Sequence, residues 1–226
     1  MNKKNYIAFI PAKGNSERLK NKNLFPIGKK KLIDFTIESA IKSKIFDKIY
    51  LSTDSQKIIS YVKIKYKNII IEKRNKNLCK NHTLASDVLF DFLKRNKNLK
   101  NINLVYLQPT SPQRNYNDII RAARKYHSEK ANSLISVCEE KINLKFLSIE
   151  KNKLINILNK EYITMNSQSL PKTYITNGAI YIVNSDFFIK KKHFLINPCA
   201  AYIMKKHKSV DIDTIADIKK IWPKLK

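Results

Sequence analysis

Cysteine is scarce and odd in number: Cys79, Cys138 and Cys199 lie far apart, which excludes a disulfide framework and a zinc site built from paired cysteines. Long hydrophobic runs are also missing. No apolar stretch approaches the roughly eighteen residues of a membrane span, and the apolar part of the opening MNKKNYIAFIPAKG is too short for a secretory signal. The expectation is a cytoplasmic protein with no membrane partner. Acidic side chains are few, 18 Asp and Glu against 45 Lys and Arg, so the formal charge is +27. Such an excess ordinarily suggests a nucleic-acid partner. The lysines, however, run along the whole chain beside abundant asparagine and isoleucine, with no aromatic-interleaved basic motif or recognition helix. Drift toward AT-rich codons explains them better, and no nucleic-acid partner is expected. His82, His127, His193 and His207 show no metal-ligand or triad-like spacing, which argues against a histidine-based hydrolase.

Glycine is the most telling scarcity. A codon bias of this kind removes glycine wherever a side chain is tolerated, yet Gly14, Gly28 and Gly178 remain. They are expected where the backbone needs positive φ or a close approach.

What is present is an alternation. With 226 residues and 43% hydrophobic content the chain can bury one good core. Short apolar runs predict strands over 6–10, 48–52, 68–71, 103–107 and 133–137, and later over 179–183 and 201–204. Helical spacing predicts helices over 31–44, 55–65, 84–95 and 116–126, with a last one from Thr214. Strands and helices in this rhythm imply an α/β fold, a Rossmann-like, mostly parallel sheet with helices on both faces, organised as one domain over 1–226. Between 141 and 175 the alternation lapses into lysine- and asparagine-rich pieces, read as a protruding arm. In such sheets ligands bind beyond the carboxyl ends of the strands, which directs attention to the loops after Ile10, Ser52 and Leu107.

The first of these loops, IPAKGNSERLKNKNL, gathers Lys13, Arg18, Lys20 and Lys22 around Gly14. It is neither GxxxxGK[ST] nor GxGxxG. Backbone N–H groups and cations here can cradle a polyphosphate, although composition alone equally allows a solvated basic loop. The loop LQPTSPQR is stiffened by Pro109 and Pro112 and presents Gln108, Thr110, Ser111 and Arg114, a polar rim suited to a hydroxyl-rich ligand or simply a capped turn. In SVDIDTIADI, Asp211 and Asp213 alternate with Val210 and Ile212, so an extended segment turns both carboxylates the same way. Paired carboxylates with substrate phosphates are a usual seat for Mg²⁺. Thr214 and Asp217 form a competing helix-capping signal that accounts for Asp213 but not Asp211.

In order and spacing, the blocks IPAKGNSERLKNKNL, DFTIESAIKSKIFDKIYLSTD, LQPTSPQR, TNGAIYIV and DIDT resemble the acylneuraminate cytidylyltransferase family over nearly the whole chain. The resemblance implies transfer of CMP from CTP to an acidic nine-carbon sugar of the sialic, legionaminic or pseudaminic type. It implies Lys13, Gly14, Ser16, Lys22 and Asn23 at the triphosphate, with lysine at position 13 replacing a usual arginine. Gln108, Arg114, Lys145 and Asn177 are implied at the substrates, and Asp211 and Asp213 as the Mg²⁺ pair, with Lys22 as their catalytic companion. A homodimer formed through the arm over 141–175 is implied as well. Besides Lys13, two further positions depart from the family pattern, Ser167 before the arm's Leu170-Pro171 and Asn81 after the third strand. The alternatives are a Kdo-type acid-sugar nucleotidyltransferase, a non-catalytic relative and a basic nucleic-acid-binding protein. NGAIY and DIDT argue against the first and the retained aspartates against the second.

Overall fold

The computed structural model describes residues 5–80, 82–142, 144–145, 147–151, 153–156 and 158–221. Along the chain come β1 (Tyr6–Pro11), β2 (Pro26–Ile27), β3 (Lys30–Lys31), α1 (Leu32–Ser43), β4 (Lys48–Thr53), α2 (Gln56–Lys65), β5 (Ile69–Lys73) and α3 (Ala85–Arg95). β6 (Asn103–Tyr106), α4 (Tyr116–Ser128), β7 (Ser133–Glu139), β8 (Leu147–Glu150), β9 (Lys153–Asn156) and α5 (Glu161–Thr164) follow. The described chain closes with β10 (Tyr174–Asn184), α6 (Ser185–Lys191), β11 (Cys199–Ile203) and α7 (Ile215–Ile221).

Seven strands form one sheet in the order β11-β7-β10-β6-β1-β4-β5. β1 pairs in parallel with β4 and β6, and β4 with β5, whereas β10 runs antiparallel to both β6 and β7. The sheet is therefore mostly parallel, as expected, with one reversed strand inside it.

β1 shows why the sheet is covered twice. Tyr6, Ala8 and Ile10 belong to one apolar cluster, and Ile7 and Phe9 to another, the period-two alternation of a strand. On the first face lie Ile33, Ile37 and Ala40 of α1, Ile58 and Val62 of α2, and Ile119 and Ala122 of α4. On the second lie Val88, Leu89, Phe92 and Leu93 of α3 with Phe188 of α6. Phe92 packs on Phe9 at 4.7 Å between ring centroids and on Tyr50 at 5.0 Å, spacings at which aromatic pairs attract.

Several short elements were not expected from the sequence, α6 and the β8–β9 pair among them. α6 is short, and its start is fixed by Asn184, whose side chain accepts from the N–H groups of Asp186 and Phe187, a polar N-cap. β8 and β9 pair antiparallel in a sheet of their own, apart from the main one, and occupy the middle of the expected arm.

A third apolar cluster positions the site. Leu19 of the basic loop, Ile27, Leu32 of α1, Ile212, and Ile218 and Ile221 of α7 pack together. Each is nearly or wholly buried. The basic loop near the N-terminus and the acidic segment near the C-terminus are thus held by one small core.

Candidate active site

At the carboxyl edge of the sheet a cavity of about 330 Å³ opens between these two segments, within the size range of small-molecule sites. Pro11, Lys13, Arg18, Lys22 and Asn23 line it from the basic loop, Gln108, Pro109 and Thr110 from the loop after β6, and Asp211 and Asp213 from the segment before α7. Arg74, Leu78, Lys80 and Thr83, between β5 and α3, complete the wall with Ala85, Val88 and Tyr106.

Ile212 has no solvent exposure, and its N–H donates to the carbonyl of Thr110 at 2.8 Å. With that side chain locked inward, the flanking Asp211 and Asp213 both face the cavity, as the alternation predicts. The capping signal is real too: Asp217 accepts from the N–H and hydroxyl of Thr214 and from the N–H of Asp213. Thr214 and Asp217 therefore start α7 without using the Asp213 carboxylate. That carboxylate instead meets Lys22 Nζ at 2.8 Å and Arg18 Nη1 at 2.9 Å. Lys22 is only 15% exposed and Arg18 70%, so the lysine pair is the better shielded from water and salt.

Asp211 is open to the cavity but recessed within the protein. Removal from bulk water pushes its carboxyl above the usual range; Asp213 and Asp217 add to that, while a hydrogen bond from Thr110 and the charge of Lys22 oppose it. Among the described residues no group of three or more His, Cys, Asp or Glu side chains could hold a metal ion.

Because Ile212 sets the direction of both aspartates, Ile212→Ala is expected to lower the unfolding free energy by about 2–5 kcal/mol. Urea denaturation checks this. A loss below about 1 kcal/mol would show that the segment is anchored elsewhere.

Of the residues expected from sequence, Lys13, Lys22, Asn23, Gln108, Asp211 and Asp213 stand together in the wall. Asn23 is buried, and its amide holds the carbonyl of Lys13 at 2.9 Å, which shapes the basic loop. Gly14, Ser16, Arg114, Lys145 and Asn177 are outside the wall. The Gly14 N–H donates to Asp54 Oδ1 at 2.8 Å, and a Cβ here would come within 2.7 Å of Ser55 Cβ. Close approach accounts for a glycine at this position. Arg114 has no solvent exposure, so it cannot touch a ligand as expected; its guanidinium bonds to the protein interior. Asn177 is likewise buried. Its side chain accepts from Ser136 Oγ at 2.6 Å and donates to Ser209 Oγ at 2.9 Å, tying β10 to the stretch that carries the aspartates. Lys145 and the exposed Ser167 lie within 141–175, the stretch expected to form an arm, and Asn81 is outside the described residues.

Arg74 was missed. It is 6% exposed, and its guanidinium donates to the carbonyl and hydroxyl of Ser52 at 3.0 and 3.2 Å. Burial lowers its pKa, opposed by the charges of Tyr106, Cys79 and Asp54. Its signal was available, since it follows β5 directly and the rule about carboxyl ends applies to that strand as well.

With this geometry in place the comparisons with known proteins decide the family. The model of the cytidylyltransferase family matches residues 7–220. The chain belongs to the cytidylyltransferase family. The chain is 32% identical over 217 residues to the N-acylneuraminate cytidylyltransferase of Escherichia coli, covering 93% of the chain and 50% of that protein. It is 31% identical over 215 residues to the CMP-N,N'-diacetyllegionaminic acid synthase of Campylobacter jejuni, covering 93% of the chain and 90% of that protein. The chain thus spans half the length of the Escherichia coli relative and nearly all of the Campylobacter one. Among solved structures, CMP:2-keto-3-deoxy-manno-octonic acid synthetase complexed with CTP superposes with a TM-score of 0.72 at 13% identity, covering 98% of both chains. At that identity the likeness speaks for the fold alone.

Proposed function

We propose that the chain transfers CMP from CTP to the anomeric hydroxyl of a nonulosonic acid of the sialic, legionaminic or pseudaminic type. The observation that carries this reading is the Lys22–Asp213 contact of 2.8 Å, which joins a cluster of cations to a carboxylate pair inside one cavity. A polyphosphate with its divalent cation needs both. Lys13, Arg18, Lys22, Arg74 and Lys80 outnumber the two aspartates in the wall, so the cavity favours an anion. The names of the relatives, an N-acylneuraminate cytidylyltransferase and a diacetyllegionaminic acid synthase, support acid sugars as the acceptor class.

In this reading the basic loop binds and orients the triphosphate, and the polar rim of Gln108 and Thr110 meets the acceptor. The anomeric hydroxyl gives up its proton to water as its oxygen bonds to the α-phosphorus, the bond from that phosphorus to the oxygen bridging to the β-phosphate breaks, and pyrophosphate leaves. Alignment and charge neutralisation are the main demands on the protein. Asp211 and Asp213 would hold Mg²⁺ together with substrate oxygens. A pair of carboxylates suits an ion that keeps waters and phosphates as its other ligands, and when bound it supplies neutralisation of the phosphate charge.

The arm supports a homodimer. Ile142, Ile149, Leu158 and Ile163 are exposed apolar side chains along it, Ile149 at 72%, and β8–β9 stands outside the main sheet. Surface of that kind marks an interaction face. Lys145 stays in the proposal as an arm residue near the acidic sugar.

The test is pyrophosphate release from CTP and Mg²⁺ with sialic, legionaminic, pseudaminic and Kdo acids, each beside ATP, GTP and UTP. Release with CTP and a nine-carbon acid is expected. Release with Kdo alone would move the acceptor to the eight-carbon class, and silence across the panel would overturn the activity.

A further inference from the structure

Arg114 is the largest side chain with no solvent exposure. Its Nη1 donates to two backbone carbonyls, Gln108 at 3.0 Å and Ala179 at 2.9 Å, and its Nη2 to Thr36 Oγ1 at 2.6 Å, while Nε has no partner. Among the described residues no carboxylate lies within ion-pair distance of it. Burial pulls its pKa down to about 9, with only the more distant charge of Asp118 opposing. An unpaired buried charge is a costly way to tie a turn.

What the guanidinium gathers gives the reason. Gln108 begins the loop after β6 and is one of the residues lining the cavity. Ala179 follows Gly178, where the pairing of β10 with β7 is irregular and φ is +71°. A Cβ on Gly178 would come within 2.7 Å of Gln108 Oε1, so the Gln108 amide rests in the space that this glycine leaves. One nitrogen of Arg114 thus holds together the two backbone segments whose spacing decides where that amide lies. A lysine, with a single ammonium in place of the planar fork, cannot reproduce the three-way geometry.

We propose that Arg114 is a positioning residue that sets the Gln108 amide against Gly178 in the cavity wall and acts on the reaction through Gln108, without touching substrate. The kinetic part rests on the cytidylyltransferase reading of the cavity. The placement does not.

The experiment combines Arg114→Lys and Gln108→Ala, singly and together, with three readouts: thermal unfolding, kcat/KM for pyrophosphate release, and the ¹⁵N side-chain amide signal of Gln108, assigned by its loss in Gln108→Ala. Arg114→Lys is expected to stay folded and lose about 30-fold in kcat/KM, but to cost less than about threefold in the Gln108→Ala background, a coupling of about tenfold or more. The Gln108 signal should shift or broaden in Arg114→Lys. Independent, multiplying effects with an unmoved Gln108 signal would overturn the proposal, as would full activity in Arg114→Lys. If the lysine variant does not fold, Arg114→Gln, which retains an uncharged donor at the site, replaces it in the same cycle. If the wild-type chain releases no pyrophosphate with any acid, the functional reading falls, and the Gln108 signal alone then decides the placement.

Discussion

Asp211→Asn is expected to reduce pyrophosphate release by about a thousand-fold or more, because a metal-held triphosphate loses several kcal/mol of neutralisation when one of its two carboxylates goes. The same variant should keep or gain thermal stability. The Asp211 carboxyl is raised above its ordinary range, chiefly by removal from bulk water. An acid whose folded value is raised stabilises the fold below its unfolded pKa and loses that contribution as pH rises through the folded value. At neutral pH, in chelator, the ionised side chain therefore weighs against folding, and the uncharged amide relieves it. Thermal melts with EDTA beside turnover with Mg²⁺ separate the two effects. Near-normal turnover would remove Asp211 from the site. A large fall in melting temperature would show that the carboxylate is structural.

The layers of the fold were legible because short apolar runs between polar loops mark the strands and the helices repeat at three to four residues. Each predicted strand of the main sheet and the helices α1 to α4 and α7 appear within a few residues of their expected positions. The reversal of β10 was not legible, since an apolar run carries no sign of direction. The seven-residue α6 was too brief to show a period. For the site, the aspartate pair could be read because alternation fixes direction once Ile212 is buried. Arg114 could not be placed: a guanidinium in a polar loop looks the same in sequence whether it faces a ligand or, as here, three interior acceptors. The glycines were read as points of positive φ or close approach without a choice between the two, because the neighbours that Gly14 and Gly178 make room for, Ser55 and Gln108, are distant in sequence and appear only with the fold.

Lys22→Met is expected to lower kcat/KM for CTP by about 10²- to 10³-fold, the usual scale for losing one preorganised donor to developing charge. The argument turns on Asp213. Without ligand this carboxylate is shared by Lys22, 15% exposed, and Arg18, 70% exposed. In the proposed reading, a triphosphate in the cavity would give Lys22 a stronger partner and leave Asp213 able to hold a cation. Methionine keeps most of the volume of the stem and removes the charge, which leaves Asp213 only the solvent-screened arginine. Two readouts should then move in opposite directions: CTP affinity by calorimetry falls, and affinity for Mn²⁺ in the absence of nucleotide, read by its paramagnetic signal, rises. Lys22→Arg restores the charge but not the compact ammonium, and should recover CTP affinity in part. An unchanged response to CTP concentration in Lys22→Met would take this residue out of the triphosphate site. A loss of CTP affinity with no gain for the free cation would mean that Asp213 is not the group Lys22 holds in reserve.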